Sequence, residues 1–391
     1  MKGGLTMEKI GEDAQVSVIL PCLNEEKTIA VCIRKIKEVF AREGIHGEII
    51  VVDNGSVDGS NAIARGEGAL VICEEHKGYG AAYLRGLREA KGRYIIMGDA
   101  DNTYDFYAIP EFLKPLKEGY GFAMGSRFKG KIQKGAMSWS HRYIGNPILS
   151  GLCRLFFRTK LSDIHCGMRA FTYEAYKKMK LKTTGMEFAT EMVVAALMNN
   201  LKIFEVPIKY YPREGESKLK PLYDAWRHTR FMLLYCPVWL YFIPGSAGFL
   251  TGITLLLALA KGPIYFLGRP WDLHMMAFAS AICILSYQIL NLGIFAHTFA
   301  LKQGFLKYDE LTLFFQRHFN LEKGLALGGA IFLTGLVILV FIFVDWFSKS
   351  FGALYRIREA ILAMTLLVIG IQTIFSAFFI SLLFLESEIG S

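Results

Sequence analysis

Tyr94-Ile95-Ile96-Met97-Gly98-Asp99-Ala100-Asp101-Asn102-Thr103 is an apolar strand that runs into two carboxylates at i and i+2. Side chains alternate along a strand, so Asp99 and Asp101 share a face if the strand stays regular, and a turn just after it splays them. Either way two carboxylates reach one small volume. Both ionised in apolar surroundings, they repel and shift each other's pKa unless a cation or a set of donors compensates. The pattern points to a hard divalent ion, Mg²⁺ or Mn²⁺, shared with a substrate diphosphate. Standing alone, Asp-x-Asp-Asn more often describes a polar turn that closes a strand, so the surrounding chain has to overturn that reading.

Upstream, Val16-Ser17-Val18-Ile19-Leu20 is a short strand that ends in the loop Pro21-Cys22-Leu23-Asn24-Glu25-Glu26. Ile29, Cys32, Ile33, Ile36, Val39 and Phe40 then recur at helical spacing. Glu48-Ile49-Ile50-Val51-Val52-Asp53 is a second strand, closed by Asn54-Gly55-Ser56-Val57-Asp58-Gly59-Ser60, whose residues suit turns and helix capping. A weaker strand over 69–73 and a helix opened by Gly78-Tyr79-Gly80 lead back to the Asp-x-Asp strand. In open α/β sheets ligands bind at the carboxyl ends of strands. Here those ends carry Asn24 and Glu25, Asp53, and Asp99 with Asp101. Neither a Gly-x-Gly-x-x-Gly after the first strand nor a Gly-Lys-Ser/Thr loop is present, which weakens the dinucleotide and P-loop readings.

The second half of the chain changes character. At 391 residues and 53% hydrophobic, the chain is too long and too apolar for one soluble domain. The apolar excess is concentrated after about residue 230, in blocks over 238–260, 275–300, 325–344 and 360–385, each long enough to cross a hydrocarbon core of about 20 residues. The segment 1–15 reads as a polar tail rather than a signal peptide, which predicts a cytoplasmic catalytic domain. Lys209, Arg213, Lys218, Lys220, Arg227 and Arg230 before the first block, and Lys302, Lys307, Arg317 and Lys323 between the second and third, fit the positive-inside tendency. The loop with Lys349, Arg356 and Arg358 is basic too and fits it less well. A formal charge of +9 lies largely beside these blocks, where it suits anionic headgroups or phosphorylated substrates rather than nucleic acid. The seven cysteines form no Cys-x-x-Cys pair and read as reduced thiols, and His165-Cys166 has no second pair at zinc-ligand spacing. Gly248-x-x-x-Gly252 and Gly324-x-x-x-Gly328 permit close helix packing and a possible homo-oligomer.

Ser-Val-Ile-Leu-Pro-Cys-Leu-Asn-Glu-Glu, then Val-Val-Asp-Asn-Gly-Ser-Val-Asp-Gly-Ser, then Gly-Asp-Ala-Asp, in that order and spacing, resembles the family 2 glycosyltransferases. The likeness runs over residues 16–220, and with the apolar blocks the chain looks like the dolichyl- or polyprenyl-phosphate glycosyltransferases. The resemblance implies an α/β GT-A domain over 16–218, an interfacial amphipathic helix over 219–236 and an all-α transmembrane domain of about four helices over 237–391. It further implies that Pro21, Asn24, Glu25 and Asp53 line the base and ribose pocket of a nucleotide-sugar, and that Asp99 and Asp101 hold the metal ion and diphosphate. Thr103 departs from the Gln often found two residues after the second Asp in such enzymes, which bears on sugar identity or ion preference.

Further matches follow the carboxylates. Arg127 stands where the family places a basic residue near the diphosphate or acceptor phosphate, and Arg169 follows a glycine in a segment like the family's Asp...Gly-x-Arg-x-Phe. Glu187 and Glu191 open a helix at i and i+4, as substrate contacts or simply as acids in a first turn. Arg213-Glu214-Gly215-Glu216-Ser217-Lys218 resembles the family's Arg-x-x-Gly-x-Ser-Lys loop with one residue fewer between Arg and Gly, giving Arg213, Ser217 and Lys218 as phosphate contacts on a lid. The implied reaction is inverting transfer of mannose or glucose from a GDP- or UDP-sugar to a polyprenyl phosphate, with Asp101, Arg127, Arg169, Arg213 and Lys218 as the catalytic set. A processive polysaccharide synthase is the rival, but Trp226-Arg227 is not preceded by the Gln-x-x-Arg-Trp pattern of those enzymes. A silent nucleotide-sugar-binding scaffold is a second rival, against which Asp53, Asp99, Asp101, Arg169 and Arg213 together argue.

Overall fold

The computed structural model describes residues 15–214, 221–302, 320–353 and 355–385. Ser217 and Lys218 lie outside the described residues. The chain divides into two compact units, the first ending at Met232 and the second beginning at Leu233.

The first unit is built on β1 (Val16–Cys22), β2 (Gly47–Asp53), β3 (Leu70–Cys73), β4 (Tyr94–Met97), β5 (Phe122–Ile132), β6 (Arg169–Thr172) and β7 (Ile203–Tyr210). They form one sheet in the order β3-β2-β1-β4-β6-β5-β7. The first four run parallel, β6 is antiparallel to both β4 and β5, and β7 runs parallel to β5. Interior strands such as β1 and β4 are buried almost throughout, as a sheet covered on both faces requires.

Helices α1 (Ile29–Glu43), α2 (Ser60–Gly66) and α3 (Tyr79–Glu89) make the crossovers, and α4 (Ile109–Lys117) follows β4. Next come α5 (Asn146–Phe157), α6 (Tyr173–Met179), α7 (Phe188–Met198) and α8 (Pro221–Leu234). Strand alternation divides the core in two. Val16, Val18 and Leu20 join the α1 and α4 residues Ile33, Ile36 and Phe112 on one face. Ile19, Ile50 and Ile95 join the α3 and α7 residues Tyr83, Leu87, Phe188 and Met192 on the other.

Register places the functional end. β1 and β2 finish level, Cys22 opposite Asp53, whereas β4 stops at Met97 opposite Ile19. The chain after Met97 therefore has room to turn beside the loops that follow β1 and β2. Pro21 lies beyond the last β1–β4 pair, where its missing N–H costs no ladder bond. β7, with Pro207 in its middle and polar residues alternating with Val206 and Ile208, was not anticipated from the sequence, because proline demotes a run to an edge strand or a non-strand.

Among the described residues the second unit has four helices long and apolar enough to cross a membrane: Val238–Ala260, Leu273–Lys302, Leu321–Ser348 and Ile357–Leu383. Close approach uses the small residues. A side chain on Gly252 would meet the Cys283 backbone nitrogen at 2.7 Å, and one on Gly328 would meet the Ile374 backbone nitrogen at 2.9 Å. Both glycines thus face another helix of the same chain, and packing within the chain accounts for them without an oligomer. Hydroxyl pairs join the second and fourth of these helices, Ser280 with Thr365 and Tyr287 with Thr373, each at 2.6 Å. Asn291 donates to the Tyr287 carbonyl of its own helix at 3.0 Å.

Candidate active site at the strand ends

Three strand ends are knitted together by side chains that bond to one another's backbones. Asn24 takes φ 55°, a left-handed conformation that asparagine tolerates, and its amide oxygen accepts from Val57 N at 2.8 Å. Ser56 Oγ accepts from Asn24 N at 2.9 Å, and Ser60 Oγ accepts from Glu25 N at 2.8 Å. Asn54 donates to the carbonyls of Glu74 and His76 and accepts from Gly78 N at 2.7 Å, which fixes the start of α3. Asp53 is buried at the end of β2 and accepts from Ser56 N at 3.0 Å. Burial works to raise its pKa, but hydrogen bonds from Asn61 and Ser56 outweigh that and bring it below the ordinary carboxylate value.

The Asp-x-Asp turn is anchored from α1 and closed on itself. Thr28 Oγ1 and Cys32 Sγ both donate to the Ala100 carbonyl, at 2.7 and 3.5 Å. Asp101 Oδ1 accepts from Thr103 N at 3.1 Å and from Thr103 Oγ1 at 2.6 Å, so Thr103 clamps the carboxylate from behind. Asn102 takes φ 59°, accepts from Lys35 Nζ at 2.7 Å and donates to Glu214 at 3.2 Å. Asp99 Oδ1 accepts from Tyr79 Oη and Tyr83 Oη of α3 at 3.3 and 3.5 Å.

The residue opposite Asp99 is Gly167, and there the absence of a side chain is required. A Cβ would sit 2.9 Å from Asp99 Oδ2 and 2.9 Å from Tyr104 Oη, the hydroxyl that accepts from Gly167 N at 2.7 Å.

Arg213 completes the cluster from far along the chain. Its guanidinium donates to Glu25 Oε1 at 2.8 Å and lies 3.3 Å from Asp101 Oδ2, while its buried Nε has no partner among the described residues. The segment is held there by backbone contacts, Tyr211 N donating to the Thr103 carbonyl at 2.9 Å and Tyr104 bridging to Tyr210. Residues 25, 99, 101 and 213 thus meet in one volume, three acids to one base.

The electrostatic consequence falls on Asp99. Its pKa is raised to about 7, first by burial and then by the charge of Asp101, with Tyr79, Arg213 and Arg127 relieving only part of it. A carboxyl raised in the folded state stabilises the fold below its unfolded pKa of about 3.9, and that contribution is lost as pH rises through the folded value. Asp99→Asn should therefore melt several degrees above the wild type at pH 8 in chelator, with the gap closing by pH 4. Thermal melts of both proteins across that range check it. An unchanged gap would show that Asp99 carries no such burden.

Two arginines singled out from the sequence do not point into this volume. Arg169 is fully buried and gives Nε to the Cys166 carbonyl, one terminal nitrogen to Ala189 and the other to Ile164, at 2.8, 2.6 and 2.8 Å. With each of its three nitrogens engaged by a backbone carbonyl, it holds the 164–168 loop against α7. Arg127 is likewise buried, its backbone N–H, Nε and one terminal nitrogen all donating to Asp163 at 3.0, 2.7 and 2.8 Å. Its charge is felt at Asp99, but its fork grips a protein carboxylate. In this structure both arginines pin the loop that precedes β6.

Glu191 and Glu187 are also structural. Glu191 accepts from Lys182 N, Thr183 N and Thr183 Oγ1, and Glu187 pairs with Arg227 at 2.6 Å. Sequence reasoning missed Tyr79, Tyr83 and Lys35, three side chains that contact the Asp-x-Asp turn from helices. Tyr79 beside Gly78 and Gly80 was the one readable signal, an aromatic among small residues at a helix start.

Two family descriptions match the chain: "Glycosyl transferase family 2" over residues 17–180 and "Glycosyltransferase family 2 C-terminal transmembrane region" over residues 294–384. The low-salt glycan biosynthesis hexosyltransferase Agl6 of Haloferax volcanii is 37% identical over 364 residues, covering 93% of this chain and 87% of that protein. The dolichyl-phosphate hexose transferase of the same organism is 31% identical over 208 residues, covering 53% of this chain and 87% of that protein. Among solved structures, the glucosyl-3-phosphoglycerate synthase of Mycobacterium tuberculosis with Mn²⁺, UDP and glucosyl-3-phosphoglycerate is 22% identical, with TM-score 0.46, covering 60% of this chain and 86% of that one. The mixed sheet with helices on both faces, the strand-end acids, the apolar C-terminal helices and a relative matched along nearly the whole chain lead to one assignment: this is a membrane enzyme of glycosyltransferase family 2, with a GT-A domain followed by a transmembrane region.

Proposed function

We propose that the enzyme transfers a hexose, mannose or glucose, from a GDP- or UDP-sugar to a polyprenyl or dolichyl phosphate, with inversion, at the cytoplasmic face of the membrane. The observation that carries this reading is the meeting of Glu25, Asp99 and Asp101 around the Arg213 guanidinium at the strand ends. Names of relatives support the finer points: a hexosyltransferase along nearly the whole length, and a dolichyl-phosphate hexose transferase over the catalytic domain.

A divalent ion fits these residues. Asp99 and Asp101 offer hard oxygen ligands, and Asp99 is short of compensating charge. Mg²⁺ or Mn²⁺ would be held by Asp99 and Asp101 and would supply neutralisation of the leaving diphosphate. The protein does the rest. Asp53, with Asn24 and Pro21 shaping the rim, presents an acceptor to base N–H or ribose hydroxyls. Thr103 keeps Asp101 oriented. Arg213, now shared by two carboxylates, can turn its fork to a phosphate without leaving its strap, and the Ser217–Lys218 stretch that follows is assigned to the same lid.

A lipid monophosphate is already an anionic nucleophile at neutral pH, so transfer needs positioning and charge control rather than a general base. This predicts acceptor selectivity. Membranes holding the protein, given radiolabelled nucleotide-sugar, should label polyprenyl phosphate and leave the corresponding polyprenol unlabelled; efficient labelling of the alcohol would sink the base-free reading. Arg213→Ala should lower kcat/KM by about 10²-fold or more, in the range for loss of a transition-state donor, and a steady-state assay reads it.

A further inference from the structure

The start of α3 has no capping side chain; backbone from a distant loop takes that place. The Thr184 carbonyl accepts from Ala81 N at 2.9 Å and the Gly185 carbonyl from Gly80 N at 3.2 Å, which satisfies two N–H groups of the first turn. That loop is tied down in its turn. Glu191 of α7 accepts from Lys182 N, Thr183 N and Thr183 Oγ1 at 2.9, 2.9 and 2.6 Å. On the opposite side Asn54 Oδ1 accepts from Gly78 N at 2.7 Å. Glycine is required at both positions of this close approach: a Cβ on Gly78 would collide with the Thr184 carbonyl oxygen, and one on Gly80 with that of Thr183.

The residue between those two glycines is Tyr79. Its ring meets Tyr83 edge-on with centroids 4.9 Å apart, and Tyr83 stacks on Phe188 of α7 at 5.9 Å. Both hydroxyls converge on one carboxylate oxygen, Asp99 Oδ1. They differ in what else they serve. Tyr83 is fully buried, and its single proton is shared between the Gly98 carbonyl at 3.2 Å and Asp99 at 3.5 Å. Tyr79 is half-buried and is the closer of the two to Asp99, at 3.3 Å.

We propose that Tyr79 is a positioning residue for the divalent ion: by donating to Oδ1 it fixes the plane of the Asp99 carboxylate and leaves Oδ2 for the metal. This rests on the reading of Asp99 and Asp101 as the ligands of that ion. A ligating carboxylate with a hydrogen bond on its other oxygen is held in one orientation, and such outer partners raise metal affinity. Glu191 acts on the site at one remove, through the loop that seats α3 and so aims Tyr79.

The test is Mn²⁺ binding to the full-length protein in detergent at pH 8, read as loss of the free-ion EPR signal. Tyr79→Phe removes one hydroxyl and keeps the ring, so its melting temperature in chelator should match the wild type. Its Mn²⁺ dissociation constant should rise about 10-fold or more, from the lower end of the range for losing the partner of a metal ligand upwards. In the transfer assay the loss should appear in the Mn²⁺ concentration that gives half the maximal rate rather than in the rate at saturating Mn²⁺. Tyr79→Phe that binds Mn²⁺ as tightly as the wild type would overturn the positioning role and leave the ligand assignment standing. A melting temperature well below the wild type would overturn it too, making Tyr79 a packing residue. Mn²⁺ binding that persists unchanged in Asp101→Ala would overturn the ligand assignment itself, and the role of Tyr79 with it.

Discussion

Asp101→Ala leaves the domain folded and removes transfer, by at least about 10²–10³-fold in kcat, the range for losing one preorganised charge-stabilising group. The fold tolerates the change because Asp101 spends its bonds locally: Thr103 can turn its hydroxyl elsewhere, and Arg213 keeps Glu25 at 2.8 Å. Removing one of two close acids also relieves the pressure on Asp99, whose second-largest burden is the Asp101 charge. The variant should therefore melt at or above the wild-type temperature while losing divalent-ion dependence together with activity. A folded, fully active Asp101→Ala would remove the metal and diphosphate assignment altogether.

Arg169→Met is the converse case, a large loss of stability with little to do with substrate. Three buried carbonyls, those of Cys166, Ile164 and Ala189, lose their donors at once. Breaking one side of a buried charged network costs about 3–5 kcal/mol, which corresponds to roughly 10 °C in a domain of this size. Methionine fills much of the volume, so the effect reports lost hydrogen bonds more than a cavity. Melting curves followed by tryptophan fluorescence read the shift, and activity per folded molecule just below the new transition should stay within a few-fold of wild type. A variant with an unchanged melting temperature and no activity would place Arg169 at the phosphates instead.

These two residues also show where sequence reading succeeds and where it stops. Asp99 and Asp101 were legible because strand periodicity confines them to one volume whichever way the turn goes, and Glu25 and Asp53 because strand ends in a parallel sheet converge. The alternation of short apolar runs with helical spacing was enough for the sheet and its crossovers. Arginine direction was not legible. Arg169 and Arg213 each sit in a family-like pattern, yet one turns inward to three carbonyls and the other reaches Glu25, 188 residues away in sequence. That choice depends on which backbone groups the fold leaves unsatisfied, a property of the packed molecule. Tyr83 was hidden for the same reason: α3 presents it to Asp99 only once it has packed on the sheet.

The most direct test of the account is a donor panel. Membranes containing the protein are supplied with polyprenyl phosphate, a divalent ion and each radiolabelled UDP- or GDP-hexose in turn, and the chloroform–methanol extract is counted with and without chelator. The account predicts that one donor labels the lipid extract, that chelator abolishes the label, and that Asp101→Ala does the same. Lipid extracts that stay unlabelled across the panel while labelled polymer accumulates would contradict it.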